Sequence, residues 1–525
     1  MKPTSFQRRL SCMALLAGIF AAASASAIPQ VATPNFSPAA GAYASAQSVT
    51  ITSATPGASI AYTTDSSIPA ESGGVVTHGT LYSGAISIGS STTLSAIAFE
   101  SGQADSALAV AGYTVETALT LNVLYNFSAS SNGGLNPAAG LVQGSDGNFY
   151  GTTNYGGSSN DGTVFKLSST GGVWSVTTLH SFTGPDGANP QGALVQGPNG
   201  DFYGTTYDGA AGVYGTIFEI TPTGAFTTLV SLNGTNNAFP MAGLMLGNDG
   251  NFYGTTSGGN TPTNYGTLFR MTPAGALTTM INFNGDGGAN PASGLVQSSD
   301  GNFYGTTFTD STGGYGTAFR MTPGGFLTTL LAFDGTDNGD GFDATPVQGS
   351  DGNFYGIIQN YSNGKNAAVT RMTPSGVLTP LAALSGGDDG NQSNAPLVLG
   401  NDGNFYGTSY SGGASNDGTL FKMTPSGVLT ILVNFNGTNG ADPLGGLVQG
   451  SDGNFYGTTY IGGSANHGVI FQLIIPPAAP TPASTPPLAP TPAASGGGAP
   501  SYGFLGLLAF AGILRWKLRK KQALT

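Results

Sequence analysis

The stretch that decides the fold is Asp146-Gly147-Asn148-Phe149-Tyr150-Gly151, because nearly the same phrase returns six more times along the chain. The tyrosine that marks each copy stands at positions 150, 203, 253, 304, 355, 406 and 456, so the steps are 53, 50, 51, 51, 51 and 50 residues. A fixed period near 50 residues with strand-forming content is typical of β-propeller blades. The sequence therefore predicts an all-β repeat fold.

Each repeat divides into four predicted strands. In the first copy, residues 140–143 are followed by an Asp-Gly turn and then by residues 148–153, and Asp-Gly between apolar runs is a strong hairpin signal. A glycine-rich loop leads to the third strand at residues 162–167. A second turn, clearest as Met271-Thr272-Pro273-Ala274-Gly275 in the third copy, precedes the fourth strand at residues 277–283.

The two ends of the repeat region complement each other. The last copy stops at residues 471–474 without a fourth strand, and an orphan fourth-strand sequence, residues 119–127, precedes the first copy. Pairing of this N-terminal strand with the last three strands would complete a blade and remove exposed sheet edges, which favour aggregation. We therefore predict a closed seven-bladed β-propeller over residues 117–475.

The repeated phrase resembles the GloVer tandem repeat of secreted proteins with interchangeable anchors, and the resemblance spans all seven copies. It implies display at the cell surface, and it implies no particular activity. A looser similarity runs to the Asp-Gly-Asn-Leu-Trp phrase of sensor and lyase propellers.

Residues 30–115 alternate apolar and polar residues in short runs separated by turns, which predicts a small β-sandwich. The phrases Pro34-Asn35-Phe36-Ser37-Pro38, Thr55-Pro56-Gly57-Ala58 and Tyr62-Thr63-Thr64-Asp65-Ser66 resemble the immunoglobulin-like C-terminal domain of chitobiases and of many secreted bacterial proteins. The resemblance implies an accessory module, which acts as a spacer or, alternatively, as a weak carbohydrate-binding domain.

Residues 1–27 have the three parts of a secretory signal peptide. Arg8 and Arg9 give the positive start, residues 13–23 are apolar, and the small-residue cleavage site ends at Ala27. The only cysteine, Cys12, precedes the apolar core and therefore does not fit a lipoprotein signal. Removal of this segment would leave no thiol, which excludes disulfides and cysteine-ligated metals.

The C-terminus predicts a sorting or membrane segment. A Pro- and Gly-rich linker at residues 476–498 ends in Gly496, Gly497 and Gly498, and an apolar run with a basic cluster follows at residues 501–521. The apolar run is shorter than the roughly 20 residues of a comfortable membrane span, although the flanking basic residues suit one. The whole resembles the tripartite GlyGly-CTERM tails, and next the PEP-CTERM tails, of Gram-negative surface proteins, which implies cleavage near the glycines. A plain membrane anchor is the alternative.

The charge distribution argues against nucleic-acid binding. The chain has 14 Lys and Arg against 26 Asp and Glu, and only six of the basic residues lie between the two terminal segments, whereas all acidic residues do. Because nucleic-acid affinity depends on neutralising phosphates, such an acidic body predicts other partners.

Candidate catalytic residues are few. The histidines are His78, His180 and His467, of which ring closure could make the last two neighbours. The carboxylates that could form the pair of a propeller glycosidase are Asp201, Glu219, Asp310 and Asp343. No nucleophile elbow or phosphate-binding loop is present. We therefore predict no catalytic residue and no cofactor.

The remaining candidates each have a plain structural interpretation. The acidic loop from Asp334 to Asp343 could bind calcium, but it lacks EF-hand spacing, so we predict a solvated turn and no metal site. The Phe-Tyr pairs of the repeats are interpreted as packing and not as a ligand ladder. The copies that break the symmetry, which are the places to search for a site, are the fifth at residues 357–361 and 367–371, the first at Trp174, and the second at Asp201 and Glu219.

The sequence favours a secreted or surface-displayed protein without catalytic activity, of a Gram-negative-type bacterium, that binds extracellular polysaccharide or a surface protein. An array of exposed aromatic residues on one rim of the propeller would support glycan binding. The alternative is a secreted polysaccharide hydrolase or lyase with its site in the central channel, which convergent carboxylates or histidines would indicate. A passive surface-layer role is expected if no rim is chemically distinct.

Overall fold

The structure is a computed structural model that describes residues 28–476, apart from residues 44–45, 116–118, 130–132, 211–213, 235–237, 259–264, 292, 310–313, 335–341, 343, 361–365, 385–386, 388–389 and 391–394. The predicted signal peptide with Ala27, and the predicted tail with Gly496, Gly497 and Gly498, lie outside the described residues. Within them the chain is all-β, as predicted, and contains no helix. Accordingly, the described part of the chain holds no helix that could cross a membrane.

The N-terminal module consists of two small sheets and a hairpin. The three-stranded sheet is formed by Asn35–Ser37, Gln47–Thr52 and Ile86–Ile88. The five-stranded sheet is formed, in spatial order, by Gly41–Tyr43, Ala109–Val115, Thr92–Phe99, Ser59–Thr63 and Thr80–Leu81. The hairpin joins Ala70–Ser72 to Val75–His78. Alternating side chains such as Val49, Ile51 and Tyr113 are buried between the sheets and form one hydrophobic core.

The repeat region forms seven four-stranded antiparallel sheets, which we number 1 to 7, with strands a to d. In sheets 1 to 6 the four strands follow one another in the chain. Strand a is only two residues long in every sheet, shorter than the sequence predicts, because the residues before it turn towards neighbouring sheets. Gly140, for example, lies so close to Gly446 that a Cβ atom would stand 2.7 Å from its carbonyl oxygen.

Sheet 1 contains Val142–Gln143, Phe149–Thr153, Thr163–Thr170 and Val173–Ser181. Sheet 2 contains Val195–Gln196, Phe202–Thr206, Thr216–Ile220 and Phe226–Ser231. Sheet 3 contains Met245–Leu246, Phe252–Thr256, Thr267–Met271 and Leu277–Asn282. Sheet 4 contains Val296–Gln297, Phe303–Thr306, Thr317–Met321 and Leu327–Ala332.

Sheet 5 contains Val347–Gln348, Phe354–Asn360, Asn366–Met372 and Leu378–Leu384. Sheet 6 contains Val398–Leu399, Phe405–Ser409, Thr419–Met423 and Leu429–Asn434. Strands a to c of sheet 7 are Val448–Gln449, Phe455–Thr459 and Val469–Ile474. A further two-residue pair joins Gly134–Leu135 to Tyr155–Gly156 beside sheet 1.

The fourth strand of sheet 7 comes from the opposite end of the repeat region. Strand Thr120–Asn126 runs antiparallel to Val469–Ile474, with Thr120 opposite Ile474 and Asn126 opposite Val469. The Asn126 side-chain oxygen also accepts a hydrogen bond of 2.9 Å from the backbone N–H of Ser464. The first and last strands of the repeat region therefore belong to one sheet.

Aromatic pairs join each sheet to the next. The buried tyrosine of strand b in one sheet packs on the buried phenylalanine of strand b in the following sheet, with ring centroids 4.0 to 4.3 Å apart at all seven junctions. The series includes the junction between sheets 7 and 1, where Tyr456 lies 4.1 Å from Phe149. The packing role that the sequence predicts for these residues is confirmed.

Glutamines at the end of strand a make a second set of links. In five junctions the glutamine side-chain oxygen accepts a hydrogen bond from a backbone N–H in the a–b turn of the preceding sheet, for example from Ser299 to Gln348 at 3.0 Å. The link from Ser451 to Gln143, 2.8 Å long, joins sheet 7 to sheet 1. Leu246 and Leu399 stand at the glutamine position in sheets 3 and 6, and both junctions rely on apolar packing.

The glycine after each repeated tyrosine is required by close packing. A Cβ atom on Gly151 would stand 2.6 Å from the Phe165 ring and 2.9 Å from Leu141, and the six equivalent glycines meet equally close side chains. A larger residue would push these core side chains apart.

Candidate functional site

The strand order gives the seven sheets two chemically different ends. The tight a–b and c–d turns lie at one end, which we call the turn end. The longer b–c loops and the d–a connections between sheets lie at the other, which we call the loop end. Because the strands alternate in direction, every sheet presents the same type of connection at the same end.

The turn end carries a repeated group of one Asp, one Asn, one Tyr and, in five sheets, one cation. In sheet 3, Asp249 accepts hydrogen bonds from the Tyr253 hydroxyl at 2.9 Å and from the Asn251 amide at 2.7 Å, and Arg270 stands opposite Tyr253. Burial and the bond to Asp249 raise the pKa of Tyr253 to about 12. Burial alone would raise the pKa of Asp249, but hydrogen bonds, first from Asn251, outweigh it and lower that pKa.

Sheet 2 reverses the polarity of this group. Asn199 stands in the Asp position, Asp201 in the Asn position and Glu219 in the cation position. The Tyr203 hydroxyl donates to Glu219 at 2.6 Å, and the Asn199 amide donates to both Asp201 at 2.8 Å and Glu219 at 3.0 Å. Burial and then the charge of Glu219 raise the pKa of Asp201. Two carboxylates that the sequence offered as candidates thus lie together, but in a satisfied turn-end network.

A cavity between the seven sheets has a different lining. The segments that precede strand a in all seven sheets surround one cavity of about 230 Å³. Its described lining consists of small and apolar residues with Gln191, Ser293 and Thr345 as polar members, and it includes no Asp, Glu, His, Lys or Arg. Asp201 and Glu219 are not among these lining residues, and Asp310 and Asp343 lie outside the described residues.

At the loop end, neighbouring sheets are joined by a backbone relay. At the junction of sheets 3 and 4, the Asn290 N–H donates to the Tyr265 carbonyl at 2.7 Å, and the Phe308 N–H donates to the Asn290 carbonyl at 3.1 Å. The same relay recurs in the triplets His467/Asn136/Asn154, Asp161/Asn189/Tyr207, Tyr214/Phe239/Ser257 and Asp417/Asp442/Tyr460. The backbone is therefore fixed at these positions, while the side chains differ from sheet to sheet.

In sheets 2 to 4 most relay positions hold aromatic residues, although Ser257 and Asn290 do not, and Tyr460 of sheet 7 is a further aromatic relay residue. We call the aromatic residues of these three sheets the aromatic arc: Tyr207, Tyr214, Phe239, Tyr265, Phe308 and Tyr315. The Phe239 ring lies 5.3 Å from Tyr207 and 5.9 Å from Tyr214. Phe308 and Tyr315, at the two ends of one b–c loop, are 53% and 45% exposed. In sheets 6, 7 and 1 the position of the three arc tyrosines 214, 265 and 315 is held instead by Asp417, His467 and Asp161.

Phe239 occupies a strained backbone position. Its φ angle is +57°, in the left-handed region, and it precedes a proline. The equivalent residues Asn136, Asn189, Asn290 and Asp442 have similar angles, but Asn and Asp tolerate this region far better than Phe. Such strain, which costs on the order of 1 to 3 kcal/mol, concentrates at functional sites.

A cleft adjoins the arc at the loop end between sheets 1 and 2. It measures about 720 Å³ and is lined by Asp161, Asn189 and Asp208 together with the segment around Pro185. Burial raises the pKa of Asp208, which follows Tyr207 in the chain. The cleft thus holds carboxylate and amide groups, and it connects to the arc through the backbone of Tyr207, whose N–H donates to the Asn189 carbonyl at 3.2 Å. Arc side chains are not among its lining residues.

The histidines have separate surroundings. His180 stacks on Phe226 at 3.7 Å and shares a 2.9 Å hydrogen bond with Asp186. His467 belongs to the relay between sheets 7 and 1, and the ring of His78 shares a 2.9 Å hydrogen bond with Ser67 in the N-terminal module. The described contacts of His180 and His467 therefore involve different partners.

The other symmetry-breaking residues make packing contacts. Trp174 lies 5.9 Å from Tyr456 and 6.3 Å from Phe149. In sheet 5, buried Ile358 stands opposite buried Ala368 where five other sheets have a pair of hydroxyl side chains, and Ile358 also pairs with Phe342. Most of the acidic loop from Asp334 to Asp343 lies outside the described residues. Within the part of the chain that the structure describes, no group of three or more His, Cys, Asp or Glu could hold a metal ion.

The sequence reasoning missed the aromatic arc. Its signal is the residue before the Gly-Thr phrase of strand c, which is Tyr214, Tyr265 and Tyr315 in three successive copies. The repeated Phe-Tyr-Gly phrase contains none of the arc residues, because the arc lies in the loops outside that phrase.

The family assignment comes from the repeat itself. The model of the Gloeobacter/Verrucomicrobia repeat matches residues 109–309 and 293–481, which together cover most of the chain. The chain belongs to the Gloeobacter/Verrucomicrobia repeat family. The loops that carry the aromatic arc lie inside this Gloeobacter/Verrucomicrobia repeat region, and the predicted repeat family is confirmed.

A second family model supports the N-terminal module. The chitobiase/beta-hexosaminidase C-terminal domain matches residues 38–110, which confirms the predicted Ig-like part of this Gloeobacter/Verrucomicrobia repeat protein. No curated protein matches the chain.

Solved structures similar to the Gloeobacter/Verrucomicrobia repeat protein include several enzymes at low identity. A gluconolactonase from Xanthomonas campestris is 10% identical, with a TM-score of 0.37, over 68% of this chain and 90% of its own. A putative 6-phosphogluconolactonase from Bacteroides uniformis is 15% identical, with a TM-score of 0.40, over 64% and 90%. A fungal alcohol oxidase in complex with copper is 13% identical, with a TM-score of 0.45, over 69% and 77%.

Proposed function

We propose that the seven sheets are the blades of one closed seven-bladed β-propeller. Three observations support this proposal: each sheet packs on the next through an aromatic pair, the series returns from sheet 7 to sheet 1, and segments of all seven sheets surround one cavity. A closed ring also leaves no open sheet edge between the first and last repeats.

We further propose that the protein binds extracellular polysaccharide through the aromatic arc and has no catalytic activity. The observation that carries this proposal is the run of aromatic side chains at the loop end of sheets 2 to 4, with Phe308 and Tyr315 about half exposed. Sugar rings have apolar faces that pack on aromatic rings, and exposed aromatic residues on a rigid scaffold mark binding surfaces. The strained backbone of Phe239 supports a functional role for the same surface.

Asparagine side chains and backbone groups of the relay supply polar partners beside the arc. Sugar hydroxyls need such donors and acceptors once they leave water. The match of the N-terminal module to a domain of chitobiase and beta-hexosaminidase, whose names refer to saccharides, agrees with this choice of ligand. The channel, in contrast, offers no described carboxylate or histidine for a hydrolase or lyase.

The direction of the chain ends suits surface display. Strand c of sheet 7 ends at Ile474 at the turn end, where the Ile475 N–H donates to the Asn454 side chain at 2.9 Å. The described chain therefore ends at the turn end, opposite the aromatic arc. If the tail holds the protein at a membrane, the arc faces away from that membrane.

We propose that the protein is secreted, with cleavage after Ala27, and is held at the surface through its C-terminal segment, with processing near Gly496, Gly497 and Gly498. Mass spectrometry of the protein recovered from the native cell envelope tests this proposal. A chain that begins at Ile28 and ends near the glycines is expected. An intact N-terminus on protein recovered from the cytoplasm would contradict it.

The binding test compares the full-length protein with single-residue variants on soluble and insoluble polysaccharides. Phe308→Ala and Tyr315→Ala should each weaken binding about tenfold, since each removes an exposed contact ring, while thermal stability stays unchanged. Affinity electrophoresis and pull-down measure the binding, and released reducing sugar is measured in the same samples.

The matched control is Phe326→Ala. Phe326 belongs to the same sheet and is 71% exposed, but it lies at the turn end. Its removal should leave binding unchanged. Equal loss in all three variants would contradict a site at the loop end, and released sugar would contradict the role without catalysis.

A further inference from the structure

The two ends of the repeat region differ in charge as well as in shape. The five Lys and Arg residues that the structure describes all stand on strand c at the turn end, each opposite the repeated tyrosine of its sheet. They are Lys166, Arg270, Arg320, Arg371 and Lys422. In sheet 1 the Lys166 ammonium group also lies 3.0 Å from the Asp146 carboxylate. The cations of the described chain are therefore confined to the end that the proposed ligand does not contact.

The loop end carries acidic residues with no described Lys or Arg among them. The described aspartates of its loops are Asp161, Asp186, Asp208, Asp286, Asp334, Asp417 and Asp442. Two of these, Asp161 and Asp208, line the cleft between sheets 1 and 2 next to Tyr207. A ligand on the aromatic arc would therefore experience a negative electrostatic potential from these aspartates, because the described cations lie at the opposite end of the sheets.

Acidic groups on a ligand would be repelled by this field. A carboxylated or sulfated polysaccharide would bring like charges beside Asp161 and Asp208, and the described lining of the cleft holds no basic residue that could pair with them. Unpaired charge at an interface opposes binding. Hydroxyl and amino groups meet no such penalty, because carboxylates accept hydrogen bonds from both.

We propose that the aromatic arc and the adjoining cleft select polysaccharides without acidic groups and exclude carboxylated or sulfated ones. This inference rests on the proposed polysaccharide binding and adds its charge specificity. The cleft of about 720 Å³ has the size of a site for a few sugar units, and it supplies the polar part of the surface while the arc supplies the apolar part.

The test uses pairs of polysaccharides that share one sugar backbone, where one member is neutral and the other is negatively charged. The full-length protein is titrated with hydroxyethylcellulose and carboxymethylcellulose, and with neutral and carboxymethylated β-1,3-glucan and chitin derivatives, at low and at physiological ionic strength. At low ionic strength the neutral member of a bound pair should bind at least about tenfold tighter. The difference should shrink as salt increases, because the screening length falls from about 30 Å at 0.01 M to about 8 Å at 0.15 M.

Charge variants locate the effect. Asp161→Asn combined with Asp208→Asn should strengthen binding of the carboxymethylated member by about fivefold. The control combines Asp201→Asn with Glu219→Gln, which removes the same charge at the turn end and should leave the ratio unchanged.

The possible results distinguish the charge specificity from the polysaccharide binding on which it rests. Equal or tighter binding of the carboxymethylated member, still lost in Phe308→Ala, would overturn the charge specificity and leave polysaccharide binding in place. Absence of binding to every polysaccharide would overturn both. The inference would also be contradicted if the cleft variant and the control had the same ratio of affinities for the neutral and the carboxymethylated polysaccharide.

Discussion

Aspartates of the turn end have opposite pKa shifts in neighbouring sheets. Asp249 receives three hydrogen bonds through its carboxylate, from the N–H and side-chain amide of Asn251 and from the Tyr253 hydroxyl. An asparagine in its place would turn an N–H group towards those donors. Asp201, in contrast, stands beside Glu219, and its raised pKa reflects burial and that charge.

We predict that Asp249→Asn lowers the free energy of unfolding by about 1 kcal/mol at pH 7 and that Asp201→Asn leaves it unchanged or raises it by about 0.5 kcal/mol. The lowered pKa of Asp249 means that its contribution is present above the ordinary value of 3.8 and is lost as the pH falls through the folded-state value. The raised pKa of Asp201 means that its ionised form destabilises the fold above that range. Both differences should therefore fade below pH 4. Urea unfolding between pH 3 and 7 measures them, and equal losses in the two variants would contradict the argument.

At the scale of the element, each b strand connects two sheets. Phe303 and Phe149 are both buried and both pack on the tyrosine of the preceding sheet, but Phe149 does so across the junction between the last sheet and the first. If the ring is closed, the two junctions are equivalent.

We predict that Phe149→Ala and Phe303→Ala each cost about 3 to 5 kcal/mol, because each leaves a cavity beside a stacked tyrosine. Chemical unfolding of both variants at one protein concentration gives the comparison. A much smaller cost for Phe149→Ala would indicate that sheets 7 and 1 are not firmly joined.

The strand pattern could be predicted from sequence more completely than the candidate site. The repeated Asp-Gly turns and apolar runs of each copy mark strands b and c, and Gln47–Thr52 and Ser59–Thr63 also lie where alternation indicates. The two-residue strand a is less visible, because Gly140 before it lies against Gly446 near sheet 7 and Leu141 packs its side chain on Gly151, so neither residue lengthens the strand pairing. The aromatic arc depends on which loops of different repeats lie next to each other in the fold. Local sequence patterns do not predict these contacts between distant residues.

At the scale of the whole molecule, the strand Thr120–Asn126 completes sheet 7 from the far end of the repeat region. We predict that a deletion of residues 28–115 leaves a monomer with nearly unchanged thermal stability, because the closing strand remains. A deletion of residues 28–127 should lower the melting temperature by roughly 10 °C or more. It should also cause the protein to self-associate, because it exposes the edge of strand Val469–Ile474.

Size-exclusion chromatography with light scattering and thermal unfolding distinguish the two deletions. Native-like stability of both proteins would show that the closing strand contributes little. Loss of folding already on deletion of residues 28–115 would indicate that the N-terminal module supports the repeat region directly.

The pairing of Thr120 with Ile474 has a mechanical consequence. Thr120 and Ile474 lie side by side at one end of sheet 7, so a pulling force between the N-terminal module and the C-terminal end of the repeat region would act across a single strand pair. The load would peel these two strands apart one hydrogen bond at a time, and sheets 1 to 6 would carry little tension until that pair had separated. A protein tethered in flowing water would thus have its weakest mechanical element at sheet 7, starting from the turn end and not from the loop end.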